Sequence, residues 1–489
     1  MGSIPRIVHQ HCRTSAIPDR YAPFAESWRL HHPDWEYRLW TDAEVDSLLA
    51  SEAPELRASG RADAVRCAIL RRYGGLLVDL DVECFRPIDP LLDGSTLAIG
   101  FEPDAHPGNL LCPAVIASVP AHPFWDHVIA HLRSSPAERD GGGGVETGSV
   151  LMTRAFDDFA ARDSVRVLPS AELYPVDKAR CSDGTLFDLK RWDDLTRDAT
   201  SHHHWDDAGA GTPKGTATLV SALLREEPLV HNPERRGPAA AAGDPLPLVS
   251  ALMVTHDRAY LARFAIDCFR RQTYPNKELV IIDYGADDTL AQELARLGDP
   301  TIRMIRRPDR DELLGELRNV AVSESAGTYV ATWDDDDLSH PLRLELQMAH
   351  LLRVGAQVCL LTGMTLWWVD ARRFALGEKR LWENSMVCRK DVLPRYQPVQ
   401  VNEDTPVINR LRQSACVIGV PQPRLYVYAV HGNNSWFPRH FEHFWNAAER
   451  QFEGDRAIRL HRELARDLPL DAFVESRSRH LGTTRNTGT

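Results

Sequence analysis

The sequence predicts two α/β domains in tandem, each with a mixed central sheet of Rossmann-like character, and three observations carry that expectation. Apolar, β-branched runs of strand length alternate with amphipathic helical stretches along most of the chain. The alternation breaks once, at "EEPLVHNPERRGPAAAAGDPLPLVS" (226–250), which is rich in Pro, Ala and Gly and has no amphipathic period, and it restarts with the buried-strand run "PLVSALMVT" (247–255). A chain of 489 residues also exceeds what one hydrophobic core usually organises. The expected boundaries are a first domain at 1–230, a linker at 231–245, a second domain at 246–460, and a C-terminal helix and tail at 461–489. The last stretch, "ESRSRHLGTTRNTGT" (475–489), is polar and is expected to fray.

Composition narrows the function classes. Hydrophobic content of 43% and charged content of 26% are those of a globular protein. A net charge of −12 argues against a nucleic-acid partner and against an anionic membrane surface, since both select basic surfaces, and it leaves only peripheral membrane association open. The nine cysteines are scattered without a CxxC pair, which reads as reduced thiols. No apolar h-region opens the chain, and "VCLLTGMTLWWV" (358–369) is too short to span a bilayer. The expected location is cytoplasmic, without a transmembrane segment.

In the first half, "RADAVRCAILRRYGG" (61–75) has apolar residues at 62, 65, 69 and 70 followed by two glycines, the pattern of an amphipathic helix with a glycine C-terminus. Asp63 and Arg66 lie three apart and share a face of it. The chain then enters "LLVDLDV", read as a short buried strand, on which Asp79 and Asp81 project to the same side. Carboxylates on a buried strand need a partner, and a divalent cation with oxygen ligands is an economical one. A lone Asp-x-Asp is common elsewhere; the helix, Gly-Gly and buried-strand setting singles this one out. "GGGG" at 141–144 reads as a flexible loop.

The blocks "IPRIVHQ" (4–10), "HPDWEYRLWTD" (32–42), "RADAVRCAILRRYGGLLVDLDV" (61–82) and "VETGSVLMTRAF" (145–156) together resemble the DXD-containing sugar transferases of glycosyltransferase family 32. More distantly they resemble the catalytic domain of the large clostridial glucosylating toxins. The likeness covers most of residues 4–205 and implies a GT-A fold, a nucleotide-sugar donor, Mn²⁺ or Mg²⁺, and retention of anomeric configuration. By that resemblance Asp63, Arg66, Asp79, Thr147 and Gly148 hold the donor, Asp81 the metal and diphosphate, and His203 the metal. Three departures stand out. Cys12 replaces a stacking Trp, "TGS" (147–149) replaces "TGP", and "HHHWDDAG" (202–209) keeps His203 but lacks the family's Ser-Trp pair. The three histidines read equally as metal ligands or as a solvated loop.

The second half runs strand, loop, helix, strand and acidic loop over "VSALMVTHDRAYLARFAIDCFRRQTYPNKELVIIDYGADD" (249–288). Asp283 ends a strand, where it accepts from a nucleobase N–H or a ribose hydroxyl, or simply turns the chain before Gly285. "RNVAVSESAGTYVATWDDDD" (318–337) then adds a helix and a strand ending in four aspartates. Strand geometry would aim Asp334 and Asp336 to one side and Asp335 to the other, with a divalent cation relieving the repulsion and stabilising charge on a departing nucleotide. Asp337, with Ser339 and Pro341, reads as a cap for the following helix or as a further metal contact.

This half resembles glycosyltransferase family 2, whose members are inverting GT-A enzymes, over roughly residues 249–407, from "VSALMVT" to "VNEDTPV". The resemblance implies that Thr255 and Asp283 hold the nucleotide, that Arg318 and Asp334 lie at the donor, and that Asp336 binds the metal. Asp404 would be the base that deprotonates the acceptor hydroxyl, with Glu403 beside it. His431 falls where relatives place a metal- or phosphate-binding His, the alternative being an ordinary loop His. Trp367, Trp368 and Trp382 are read as sugar-stacking or core residues, and Tyr284 replaces a usual second acid.

The leading expectation is a bifunctional, metal-dependent glycosyltransferase. It would add two sugars from nucleotide-diphosphate sugars, UDP-sugars foremost, to a glycan, lipid-linked or peptide acceptor. The alternatives are a single active inverting domain beside a non-catalytic nucleotide-sugar-binding one, a pure binding protein, and a metal-dependent phosphohydrolase.

Overall fold

Each half of the chain builds an α/β unit on a mixed sheet. The computed structural model describes residues 2–52, 61–103, 110–134, 148–177, 180–181, 185–205, 219–220, 223–241, 243–308 and 311–486. It divides into Met1–Leu186 with Arg191–Pro213, and Phe187–Lys190 with Lys214–Thr489.

The first unit contains β1 (Ile7–His11), β2 (Glu36–Trp40), β3 (Gly75–Val78), β4 (Val82–Cys84), β5 (Leu97–Phe101), β6 (Leu111–Ser118), β7 (Val165–Leu168) and β8 (Ser201–His203). Six of them form a sheet in the order β2-β1-β3-β6-β5-β7, and β4 pairs separately with β8. β1 runs parallel to β2 and β3, whereas β6 runs antiparallel to β3 and β5. Every residue of β3 and β6 is buried, so both strands read as continuous apolar runs rather than alternating ones. The helix Arg61–Tyr73 buries Ala64, Val65, Cys67, Ala68, Ile69 and Leu70, a broader stripe than expected, with Ala62 left exposed. Gly74 ends it at φ +64°, its N–H donating to Leu70 O at 2.9 Å. Gly75 follows at φ +87°, and a Cβ there would lie 2.8 Å from Ile7 O.

His9, on β1, is wedged into this junction. It is 1% exposed, its Nε2 lies 3.0 Å from Gly74 O, and its Nδ1 accepts from Trp40 Nε1 at 3.1 Å. Both ring nitrogens are thus satisfied in the neutral form, with the proton on Nε2. Burial pushes the imidazole down from 6.5 to about 4, against the pull of the Gly74 carbonyl and with help from Arg38. Between those values the unfolded chain binds a proton that the folded unit refuses. The stabilisation is therefore complete above pH 6.5 and declines as pH falls toward 4. We expect a decline of about 3 kcal/mol across that window in urea unfolding of the first unit. It should be absent from His9→Gln; an equal decline in that variant would assign it to other groups.

The second unit contains β9 (Leu229–His231), β10 (Val249–Thr255), β11 (Lys277–Asp283), β12 (Ile302–Arg306), β13 (Tyr329–Thr332), β14 (Leu338–Ser339), β15 (Val358–Leu361), β16 (Thr365–Trp368), β17 (Arg373–Leu376), β18 (Trp382–Arg389), β19 (Val417–Val420), β20 (Tyr426–Val430) and β21 (Arg450–Phe452). Eight make a sheet in the order β12-β11-β10-β13-β18-β15-β19-β9, and β14-β20-β16-β17-β21 make a second. β10, β11, β12 and β13 are parallel, and Thr255 sits opposite Asp283 in the register. Their carboxyl ends therefore deliver Thr255, Asp283 and the aspartate run to one edge, where open α/β sheets bind ligands.

Two boundary expectations need correction. The stretch read as a linker is stitched to the second unit. β9 pairs antiparallel with β19, Gly237 N donates to Gly355 O at 2.8 Å, and Ala240 N donates to Leu352 O at 3.1 Å. Its low-complexity composition concealed backbone donors and acceptors that this unit satisfies. The polar C-terminus is not frayed over its described length: the helix Leu470–Asn486 runs through it, with Phe473 and Arg477 one turn apart on a buried face. No described helix is long and apolar enough to cross a membrane.

Candidate active site

In the first unit the helix Arg61–Tyr73 and the end of β3 bring three predicted residues together. Arg66 Nη1 donates to Asp63 Oδ1 at 3.1 Å, and its Nη2 reaches both oxygens of Asp79 at 2.7 and 2.9 Å. Asp63 is 2% exposed and takes its second bond from Gly148 N at 2.8 Å. Thr147 lies outside the described residues, as do residues 141–144 and 206–209. Burial works against the Arg66 charge, but Asp79 and Asp63 outweigh it and hold the guanidinium protonated.

The Asp-x-Asp pair does not ride on a strand, contrary to expectation. β3 stops at Val78, and Asp79 to Asp81 form the turn into β4, closed by Val82 N donating to Asp79 O at 3.2 Å. The two carboxylates consequently have different partners: Asp79 faces Arg66, and Asp81 Oδ2 lies 3.1 Å from His203 Nε2. The solvated-loop reading of the histidines also falls. Val82 pairs with His203 and Glu83 with His202 across β4 and β8, and all three residues of β8 are buried. His204 Nε2 lies 3.1 Å from Glu83 Oε2 and stacks on Phe24 at 4.2 Å. Nδ1 of His203 is buried and has no hydrogen-bond partner among the described residues. A carboxylate and an imidazole side by side suit a divalent cation whose other ligands come from diphosphate and water. Cys12 is buried, its Sγ directed to Ala16 O at 3.7 Å. Gln10, which the sequence reading passed over, donates to Asp79 O at 3.3 Å and accepts from Tyr37 Oη at 2.6 Å.

In the second unit a cavity of about 390 Å³ opens at the carboxyl edge of the sheet, lined by Thr255, Arg258, Tyr284, Arg318, the four aspartates 334–337, Trp382, Glu383, Asn384, Glu403, Asp404 and Trp436. β13 ends at Thr332, so the aspartates occupy a turn and do not alternate as strand residues would. Asp334 receives Arg318 Nη2 at 3.0 Å. Asp335 and Asp336 share Arg258 Nη1, at 3.3 and 2.9 Å, and Thr255 Oγ1 donates to Asp335 at 2.7 Å. His431 Nε2 lies 3.1 Å from Asp336 Oδ2. Asp337 does not cap the next helix, whose N-terminal residue Leu342 has no side-chain cap; it accepts from Tyr426 Oη at 2.7 Å and Ala429 N at 2.9 Å, tying the turn to β20.

The "NED" triplet, Asn402 to Asp404, also lines the cavity. Glu403 is buried and takes Arg318 Nε at 2.6 Å, while Asp404 is half-buried and caps the helix Thr405–Ser414 by accepting from Thr405 N at 2.7 Å. Arg318 therefore bridges Glu403 and Asp334.

Charge is unevenly divided here. Burial pushes Asp334, Asp335, Asp337 and Glu403 upward, with repulsion from Asp336 and Asp334 adding to the rise at Asp337. Burial also opposes ionisation of Asp336, but His431 and then Arg258 overcome it and hold this carboxyl below the usual range. Of the four aspartates, Asp336 is thus the one that its surroundings shift downward, with the His431 imidazole beside it. Among the described residues no three His, Cys, Asp or Glu side chains converge on one point. Asp336 and His431 fit Mn²⁺ or Mg²⁺ as a partial ligand set, completed by diphosphate oxygens and water.

Other expectations fare unevenly. Asp283 is 2% exposed and is occupied by Gly285 N at 3.0 Å and an ion pair with Arg306 at 3.3 Å, so it shapes the loop rather than the cavity wall. Trp367 and Trp368 are core residues of the second sheet, Trp367 stacking on Phe374 at 5.9 Å and Trp368 meeting Trp445 edge-on at 5.0 Å. Trp382 does line the cavity, edge-on to Phe444 at 5.2 Å. Arg258, Asn384 on β18, and Trp436 stacked on His440 at 4.4 Å went unnoticed in the sequence, because a single polar or aromatic residue carries no periodic signal of a site.

Two family models match the chain, one in each half. Residues 18–98 match the family "Glycosyltransferase sugar-binding region containing DXD motif", and residues 250–366 match "Glycosyl transferase family 2". Inositol phosphoceramide mannosyltransferase 3 of Schizosaccharomyces pombe is 35% identical over 139 residues, 27% of this chain and 38% of its own. Mannosyl phosphorylinositol ceramide synthase CSH1 of Saccharomyces cerevisiae is 36% identical over 138 residues, 27% and 35% of the two chains. Putative colanic acid biosynthesis glycosyl transferase WcaA of Escherichia coli is 37% identical over 175 residues, 35% of this chain and 55% of its own. The chain therefore spans between about a third and about half of the length of these relatives. Among solved structures, that of S. aureus TarS 1-349 in complex with UDP-GlcNAc aligns at 15% identity and a TM-score of 0.33, over 39% of this chain and 61% of that one. The chain thus carries, at residues 18–98, a match to a DXD-containing glycosyltransferase sugar-binding region and, at residues 250–366, a match to glycosyl transferase family 2.

Proposed function

We propose that the chain is a bifunctional, metal-dependent glycosyltransferase that adds two sugars in sequence from nucleotide-diphosphate-sugar donors, the first with retention and the second with inversion of configuration. The observation that carries the second activity is the cavity lined at once by Asp334, Asp335 and Asp336 and by Glu403 and Asp404. Its volume of about 390 Å³ lies in the range of small-molecule sites.

In this reading Asp404 takes the proton of the acceptor hydroxyl while that oxygen attacks the anomeric carbon. The bond from that carbon to the diphosphate breaks, and the nucleotide leaves with the electron pair. A divalent cation held by Asp336 and His431 would neutralise the charge that gathers on the diphosphate. Arg318 keeps the two acidic segments in register by holding Glu403 and Asp334 together. Thr255, Arg258 and Tyr284 line the side of the cavity assigned to the nucleotide, and Trp382 the side assigned to a sugar face. At the first site Asp63, Arg66 and Asp79 would hold the donor, with Asp81 and His203 on the cation side.

Acceptors of three classes remain in view: a glycan, a lipid-linked sugar and a peptide. The names of the two fungal relatives place a mannosyl donor and a lipid acceptor first among those to try for the first site. A cytoplasmic location is part of the proposal. A second reading, a single active inverting domain beside a silent first site, is favoured by Cys12, which offers no ring to a nucleobase.

The test is a donor screen on the purified full chain with Mn²⁺ and a panel of UDP- and GDP-sugars, reading nucleotide release for wild type, Asp81→Ala and Asp336→Ala. Two activities are expected to separate, each substitution abolishing release from a different donor. Loss with Asp336→Ala alone would reduce the chain to one inverting transferase. Unchanged release in both variants would sink the metal assignment.

A further inference from the structure

The C-terminal helix Leu470–Asn486, whose sequence reads as a polar tail, presents one face to the second site. Arg477 is 8% exposed. Its guanidinium pairs with both oxygens of Asp370, in the turn after β16, and Nη2 donates to His431 O at 2.6 Å. One turn earlier, Phe473 meets the His431 ring edge-on at 6.4 Å. The same helix also touches Tyr260: Ser476 Oγ donates to Tyr260 O at 3.0 Å, and His480 stacks on the Tyr260 ring at 3.8 Å. Tyr260 lies two residues beyond Arg258, which donates to Asp336.

The loop from His431 to Trp436 is tied to β20 by Asn434 Nδ2, which donates to Ala429 O at 2.8 Å. It begins where β20 ends, includes Gly432 at φ +84°, and is held from within by Asn434 Oδ1 accepting from His431 N at 2.9 Å. Arg477 is the charged group that closes it from outside, clamping the His431 carbonyl against the end of β16. A carbonyl anchored by a buried guanidinium fixes the backbone from which the imidazole projects, and with it the distance from Nε2 to Asp336.

We propose that Arg477 is a positioning residue for the second site: it holds the His431 imidazole against Asp336 and so sets the affinity of that pair for a divalent cation. The inference rests on the reading of Asp336 and His431 as cation ligands. Groups that orient metal ligands typically govern affinity by about 10- to 100-fold.

The test uses the full chain in an Asp81→Ala background, so that the second site is the one read, and measures Mn²⁺ binding by electron paramagnetic resonance alongside kcat and KM for the donor. Arg477→Met is expected to weaken Mn²⁺ binding by about 10- to 100-fold, with kcat recovering at high Mn²⁺ concentration. Arg477→Lys, which keeps one donor for the carbonyl, should lie between Met and wild type. Asp370→Asn, at an exposed position, loosens the clamp without emptying a buried space and guards against misfolding of the Met variant; it is expected to shift Mn²⁺ binding in the same direction by a smaller factor. Wild-type Mn²⁺ affinity in both Arg477→Met and Asp370→Asn overturns the proposal while leaving the metal reading intact. Absence of Mn²⁺ binding in the background chain, unchanged by Asp336→Ala, overturns both.

Discussion

Asp404→Asn is expected to lower kcat for transfer by the second domain by about 10²- to 10⁴-fold while leaving donor KM close to that of wild type. The argument separates two duties of this side chain. Asp404 caps the helix Thr405–Ser414 through Thr405 N, and asparagine caps as well as aspartate, so the backbone of the "NED" turn should not move. What asparagine lacks is the capacity to take a proton from the acceptor hydroxyl. A loss confined to kcat, with the pH–rate profile flattened on its acid limb, is the signature of a missing base. Steady-state transfer assays with a saturating acceptor read it directly. Comparable turnover in the variant would move the base to Glu403 or to another group.

The second large effect concerns stability. Arg318→Met is expected to destabilise the second unit by about 3–5 kcal/mol, because it strips the partner from Asp334 and Glu403 in one step. Burial already pushes both carboxyls upward, and Arg318 is the group that opposes it. Without the guanidinium the two acids must either ionise unpaired or take up protons. The loss should therefore be greatest near neutral pH and shrink as pH falls and both groups protonate in the folded unit. Urea unfolding followed by a probe in the second unit, at pH 7.5 and pH 5, distinguishes the cases. Adding Asp334→Asn and Glu403→Gln to Arg318→Met should recover part of the loss, since the isolated charges are then gone. No recovery would mean that Arg318 acts by packing its aliphatic stem rather than by its charge.

Much of the site could be read from residue order. The helix with Asp63 and Arg66, the glycine pair and the acidic step after β3 are separated by at most 18 residues, and local spacing is enough to put them on one face or at one strand end. The same holds for Thr255 at the end of β10 and for the aspartates after β13. Local reasoning failed on strand length. It carried Asp79 to Asp81, and Asp334 to Asp337, along strands that stop at Val78 and Thr332. Where a strand stops depends on its neighbours: β3 lies between β1 and β6, and β13 between β10 and β18, with all four partners coming from elsewhere in the chain. Once the aspartates sit in a turn, their partners follow from space rather than from alternation. Asp337 meets Tyr426, 89 residues away, and Asp336 meets His431, 95 residues away.

The sequence by itself determined the class of chemistry: two acidic strand ends with their flanking helices, the division of the chain into halves, and the identity of the carboxylates concerned. Those signals are local, set by periodicity and by residue types that a buried strand end tolerates only with a partner. Only the tertiary structure decided which carboxylate is favoured as an anion, which one is spent on tying strands together, and that one face of the polar C-terminal helix is buried with Arg477 against His431. Ionisation and ion pairing depend on burial and on charges brought within a few ångströms by chain segments far apart in sequence, and no local pattern encodes those distances.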